Sequence, residues 1–201
     1  PREQEVEIDK LDEIKKYLDS NTIPERFSLA ENINIKVENQ GSYGLCWGFA
    51  SLNTLETYLA LNERKDYDFS EMHLNYIESD LLYGYREIDQ GGNFDIFKDY
   101  VNISGVVLES DVPYKNYSEK EYSKFIDMKP VSLVTETVDF PTIYKTEYSE
   151  YTDEEIKDFR DTVKRHIMQN GGIYAEVIAS GERNAYNHES TTEFINHAIT
   201  I

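Results

Sequence analysis

Apolar positions recur at helical spacing from Cys46 onward, where Phe49, Ala50, Leu52, Leu55, Tyr58 and Leu59 predict a helix over residues 46–62. Residues 22–45 lack that period and read as extended, loop-like chain. A shorter helix is predicted from Ser70, an N-cap residue type, and another from Asn93 to Val101, running into the strand Val106-Val107-Leu108. From Val131 to Tyr151 apolar and polar residues alternate, which suits a strand or a sheet edge. Thr152-Asp153-Glu154-Glu155 forms a capping box ahead of Ile156, Phe159, Val163 and Ile167, predicting a helix that Gly171-Gly172 ends. Ile173–Ile178 reads as a buried strand, and the β-branched alternation after Asn196 as another. Residues 1–20 are charged and weakly amphipathic through Val6, Ile8, Leu11, Ile14, Tyr17 and Leu18. Residues 21–201 read as one domain in two lobes, about 40–125 and about 126–201, with no repeat or low-complexity tract.

Composition narrows the function. Hydrophobic residues make up 39% and aromatic residues 13%, enough for a buried core. The 39 acidic residues outnumber the 20 basic ones for a net charge of −19, which argues against nucleic acid or an anionic membrane as partner. No apolar run is long enough to insert in a membrane, and no signal peptide is visible. The expected state is a monomer. Acidic residues near 150–158 lack metal-loop spacing and suit a helix N-terminus, and neither a phosphate loop nor a dinucleotide fingerprint occurs. No metal and no cofactor is expected. Asn102-Ile103-Ser104 and Asn116-Tyr117-Ser118 match glycosylation sequons by pattern alone.

The one cysteine stands beside the one tryptophan in Gln40-Gly41-Ser42-Tyr43-Gly44-Leu45-Cys46-Trp47. A lone Cys closes no intrachain disulfide, so it is either a small buried hydrophobe or a reactive thiol. Its place at a predicted helix start, where unpaired amides and the helix dipole favour thiolate, points to a nucleophile. Its base must come from a distant part of the chain. His197 opens the C-terminal strand, whereas His73 and His166 lie in helical stretches and His188 in a polar loop.

Gln-Gly-Ser-x-Gly-x-Cys-Trp-x-Phe-Ala at 40–50, followed by Asn196-His197-Ala198-Ile199, resembles the papain family of cysteine peptidases. Shorter matches follow in order: Ile23-Pro24-Glu25-Arg26-Phe27, Phe69-Ser70-Glu71, Gly91-Gly92-Asn93 and Val112-Pro113-Tyr114. The resemblance implies an α+β fold with a helical left lobe, a β-barrel right lobe and a cleft between them. It also implies hydrolysis of protein or peptide substrates by a Cys46 thiolate and a His197 base. Gln40, with the Cys46 amide, would form the oxyanion hole. Gly91 and Gly92 would bind substrate backbone, and Phe94 and Ala198 would wall the pocket for the side chain two before the scissile bond. A gapless count from Gly172 puts Glu176 at that pocket, where a carboxylate would favour Lys or Arg; a one-residue slip puts Ala175 there and leaves an apolar pocket.

The departures from the family matter as much. Its members carry a second Cys three positions before the nucleophile, joined to one near the glycine pair; here Tyr43 holds that position. This cysteine-poor style resembles clostridial members and implies a secreted or bacterial cell-surface protein ahead of a cytosolic one. The Asn that orients the family's imidazole should follow His197 by roughly twenty residues, so the sequence reads as a fragment missing its last strands. Pro1 is no native start, and residues 1–20 read either as a propeptide remnant, which would make the protein a zymogen, or as an N-terminal extension. The competing expectations are a catalytically silent binding or surface protein on the same fold, and a transferase.

Overall fold

In a computed structural model of the chain, the described residues are 12, 14–16, 18–19, 22–81, 87–132, 134, 136–141, 151–177 and 196–201. Helix α1, Cys46–Glu63, lies at the centre. It buries Trp47, Ala50, Leu52, Leu59 and Ala60, so it is covered on several sides. On one side it meets α2, Glu71–Tyr76, capped by Ser70 Oγ accepting from the His73 amide at 3.0 Å, and α3, Phe94–Ile103, capped by the Asn93 side chain. A short helix α4, Glu119–Tyr122, and a 3₁₀ turn at Phe125–Asp127 close this side. The core here is Phe69, Met72, Leu74, Ile77, Tyr100, Val101 and Val106, all at most 1% exposed. Inside it His73 Nδ1 meets the Tyr100 hydroxyl at 2.7 Å and Nε2 meets the Phe125 carbonyl at 3.2 Å. Burial drives this imidazole down to about 4, so it packs as a neutral ring.

On the other side α1 meets α5, Asp153–Asn170, and the antiparallel pair β1, Tyr174–Val177, and β2, His197–Thr200. The expected capping box starts α5: Thr152 Oγ1 accepts from the Glu155 amide at 3.2 Å and the Glu155 carboxylate accepts from the Thr152 amide at 2.7 Å. Gly171 ends α5 at φ +95°, where a Cβ would lie 2.8 Å from the Thr57 backbone of α1; only glycine allows that turn and that approach.

Two expected strands take another form. Val106 and Leu108 make single bridges, to Ser132 and Phe69, rather than a ladder. The segment after Val131 continues irregular over its described residues to Pro141, with Val138 51% exposed; among the described residues no strand pairs with it beyond the Ser132 bridge. Residues 142–150 of that expected strand, and Ile178 at the end of the next, lie outside the described residues. Among the described residues the only ladder is β1–β2, so the expected barrel is represented by that pair.

The packing against α1 buries carboxyl groups. Glu56 is 9% exposed and accepts from the Phe69 amide at 2.7 Å; Glu71 is 2% exposed. Desolvation, aided by Glu38 and Asp68, raises Glu56 from its ordinary 4.5 to about 7, and desolvation with Glu38 raises Glu71 further. Lys36, paired with Asp68, opposes the shift in Glu56 only weakly. The folded state therefore holds protons that the unfolded chain releases near pH 4.5. This contribution is complete below that pH and is lost as pH rises through about 7. We expect the melting temperature to fall between pH 5 and 8, with Glu56 alone accounting for roughly 3 kcal/mol. Thermal unfolding across that range should show a shallower slope for Glu56→Gln, which keeps the acceptor for Phe69; equal slopes would refute the assignment.

Candidate active site

Cys46 begins α1, half-buried. The preceding residue, Leu45, supplies no side-chain cap, and its carbonyl receives the amides of Gly48 and Phe49 at 3.0 and 3.1 Å. The N-terminal amides of the helix thus point past Cys46 without a side-chain acceptor of their own. The loop before it is held at several points. Gln40 Nε2 donates to the Tyr43 carbonyl at 2.9 Å, the Tyr114 hydroxyl donates to the Gln40 carbonyl at 2.8 Å, and the Tyr114 ring packs on Phe49 and Tyr43. An amide NH₂ has two hydrogens, so one positions the Gln40 side chain and the other remains for a ligand.

The glycine pair joins this loop from the left side. The Gly44 amide donates to the Asp89 carboxylate, two residues before Gly91. Where the family's second cysteine would link this loop to the glycine pair this chain has Tyr43, and a hydrogen bond from the neighbouring Gly44 makes the link. Gly92 lies flat on the indole of Trp47: a Cβ there would stand 2.5 Å from Trp47 Cε2. Phe94 follows, packed on Phe97 at 5.6 Å between ring centroids.

His197 arrives from the other side, and three contacts fix its level along α1. The Gly172 amide donates to Thr57 Oγ1 at 2.9 Å, near the C-terminal half of the helix. Thr200 Oγ1 donates to the Ala50 carbonyl at 2.9 Å. The register pairs Tyr174 with Thr200 and Val177 with His197. So β1 runs toward the N-terminus of α1 and β2 starts there. Three strand residues, about 10 Å, carry the chain from the Ala50 level to His197, while Cys46 lies four helical residues, about 6 Å, in the same direction. His197 therefore stands beside the first turn of α1, half-buried, next to Ala198, which is 6% exposed in the core. Among the described residues no hydrogen bond joins the Cys46 thiol to His197. Such contacts are often long in unliganded sites and tighten around substrate.

Glu176 pairs with Ala198 across the ladder, is exposed, and accepts a hydrogen bond from the Tyr174 hydroxyl at 3.1 Å. Tyr174 itself packs on Phe94, and burial, then Glu176 and the Cys46 thiol, raise its phenol above the ordinary range. Sequence reasoning missed Tyr174, Asp89 and the hydroxyl of Tyr114. Strand alternation sets Tyr174 on the face of Glu176, but no local pattern foretells a partner 45 residues away, as for Asp89, or 74, as for Tyr114. The other histidines lie apart: His73 in the core, His166 against Phe140 at 5.2 Å, and His188 outside the described residues.

Comparison with known proteins bears on the family and the fold. A family model described as papain family cysteine protease matches residues 23–201. The viral cathepsin of Bombyx mori nuclear polyhedrosis virus is 35% identical over 83 residues, 39% of this chain and 23% of that protein. Clostridial cysteine protease Cwp84 after propeptide cleavage superposes with a TM-score of 0.65 at 25% identity, covering 88% of this chain and 42% of that one. A structure of the cysteine protease and lectin-like domains of Cwp84, a surface layer associated protein of Clostridium difficile, gives 0.66 at 23% identity, covering 97% and 46%. The ragweed pollen allergen Amb a 11 in its proform gives 0.65 at 24% identity, covering 92% and 47%. The chain thus spans about a quarter of the viral relative and under half of these structures.

Proposed function

Because the chain belongs to the papain family of cysteine proteases, with a papain-like fold, we propose that it is the catalytic segment of a cysteine endopeptidase acting on protein or peptide substrates. The observation that carries this reading is the path of β1 and β2 along α1, which brings His197 to the Cys46 end of the helix. In this reaction the Cys46 thiolate attacks the peptide carbonyl carbon and its electron pair moves onto oxygen. Gln40 and the Cys46 amide stabilise that oxyanion. His197 then gives its proton to the departing amine as the C–N bond breaks, and later takes one from the water that hydrolyses the thioester. Gly91 and Gly92 bind substrate backbone, and Phe94, Ala198 and Glu176 border the subsite for the side chain two before the scissile bond.

The test is alkylation by a peptidyl epoxide followed by peptide mapping. Modification at Cys46 that competes with peptide substrate supports the reading. The missing Cys46–His197 hydrogen bond favours a second reading, a catalytically silent papain-fold binding or surface protein. An unmodified Cys46 in full-length protein that cleaves no peptide would establish that alternative. Analysis of products formed with added amines separates hydrolase from transferase.

We place the protein outside the cell or on a bacterial surface, a reading supported by its likeness to surface layer associated Cwp84. Among the described residues no helix is long and apolar enough to cross a membrane. We take residues 21–201 as the peptidase domain and residues 1–20 as an N-terminal extension, because the described residues of that segment contact α5. The Asp19 amide donates to Gln169 Oε1 at 3.0 Å, Lys15 pairs with Asp158, and both partners belong to α5. The end of α5 meets α1 at Thr57, eleven residues or about 16 Å from Cys46. Protein beginning near Asn21 should hydrolyse peptides at an unchanged rate. A several-fold faster rate on truncation would instead make the segment an inhibitory propeptide and the protein a zymogen.

A further inference from the structure

We propose that Tyr174 is a specificity-determining residue whose ring fills the subsite between Phe94 and Ala198, so that the protein accepts only small side chains two residues before the scissile bond. This rests on the cysteine peptidase reading above, and it changes what that peptidase would cut.

The subsite has one wall on each side of the cleft. Phe94 stands two residues beyond Gly92 on the helical side; Ala198 and its ladder partner Glu176 stand on the strand side. Alternation along β1 turns Tyr174 the same way as Glu176, one step nearer α1, where Thr200 anchors the ladder to Ala50. From there the ring crosses to Phe94, with centroids 5.0 Å apart and planes 33° apart, and comes within electrostatic reach of Cys46. That separation is aromatic contact distance, which leaves no passage for a substrate side chain between the rings.

Both walls are held from behind. The Tyr174 hydroxyl donates to Glu176 Oε1 at 3.1 Å, which fixes the ring's direction. Phe94 rests on Phe97, and Lys98 Nζ stands 5.7 Å from its ring centre while pairing with Asp95 and Asp139. Opening the gap requires one aromatic ring to leave its partner. The Glu176 carboxylate is exposed and engaged by the Tyr174 hydroxyl. The remaining space suits Gly, Ala or Ser.

The experiment is a substrate library varied at that one position, cleaved by the full-length protein and by Tyr174→Ala, Tyr174→Phe, Phe94→Ala and Glu176→Gln. We expect the wild type to favour Gly, Ala or Ser over Leu or Phe in kcat/KM by about tenfold or more, as steric discrimination in an apolar pocket allows. The Leu-to-Ala ratio should rise by about tenfold or more in Tyr174→Ala. Phe94→Ala should raise it through the opposite wall, which keeps the test intact if Tyr174→Ala fails to fold. Tyr174→Phe should preserve the wild-type ranking, because the ring does the filling. A wild type that prefers Leu or Phe overturns the proposal and leaves the peptidase reading standing. So does a Lys or Arg preference lost in Glu176→Gln. Absence of cleavage across the whole library, with Cys46 unmodified by the epoxide, overturns both.

Discussion

Cys46→Ala should abolish peptide hydrolysis, with a loss of at least ~10⁴-fold in kcat/KM. The thiol is the only cysteine sulfur in the chain and sits half-buried at the start of α1, where the uncapped helix amides favour negative charge. No other side chain in the described site replaces it as a nucleophile. Tyr174 is nearest in chemistry, but burial raises its phenol above the ordinary range and makes it a poor one. His197→Ala should cost a comparable factor, and the double variant little more, because a nucleophile and its base act as one unit. Initial rates on a quenched peptide, with circular dichroism to confirm folding, measure all three. Full activity in Cys46→Ala would end the proposed mechanism.

Gln40→Ala is expected to lower kcat by about 10²–10³, or 2.7–4 kcal/mol, while raising KM much less. The geometry gives the reason. The Gln40 carboxamide is oriented by its bond to the Tyr43 carbonyl, and its backbone is pinned by Tyr114, so the side chain is held in place before substrate binds. Charge on the substrate oxygen develops only in the transition state, so losing the donor acts on kcat. Alkylation of Cys46 by iodoacetamide forms no oxyanion and should proceed in this variant as in wild type. A parallel loss of alkylation would show that Gln40 supports the fold of the loop rather than the reaction.

Helices were legible where capping and period coincide. Thr152 with Glu155 announced α5, Asn93 and Ser70 announced α3 and α2, and Gly171 announced an end that the structure confirms at φ +95°. The strands were less so. Val106–Leu108 and the alternating segment after Val131 have strand composition, yet a strand exists only through a neighbour's free amides and carbonyls, and among the described residues these segments make only isolated bridges. The site divides in the same way. Gln40, Gly92 and Cys46 lie in short runs whose residue types carry their chemistry, and His197 was readable from its strand context.

What the sequence determined by itself, then, is the inventory: a lone cysteine at a helix start, a histidine at a strand start, a glycine pair, and acidity that argues against anionic partners. What only the tertiary structure decided is how these meet. The antiparallel register along α1 sets the level of His197, and Asp89 replaces a covalent link with a hydrogen bond to Gly44. Tyr174 crosses the cleft to Phe94, and Glu56 and Glu71 become buried acids. Each of these depends on groups between 13 and 150 positions apart in the chain, as with Glu56 to Phe69 and Ala50 to Thr200. Local propensity acts over a few residues, and only packing against a common helix brings such distant groups within contact.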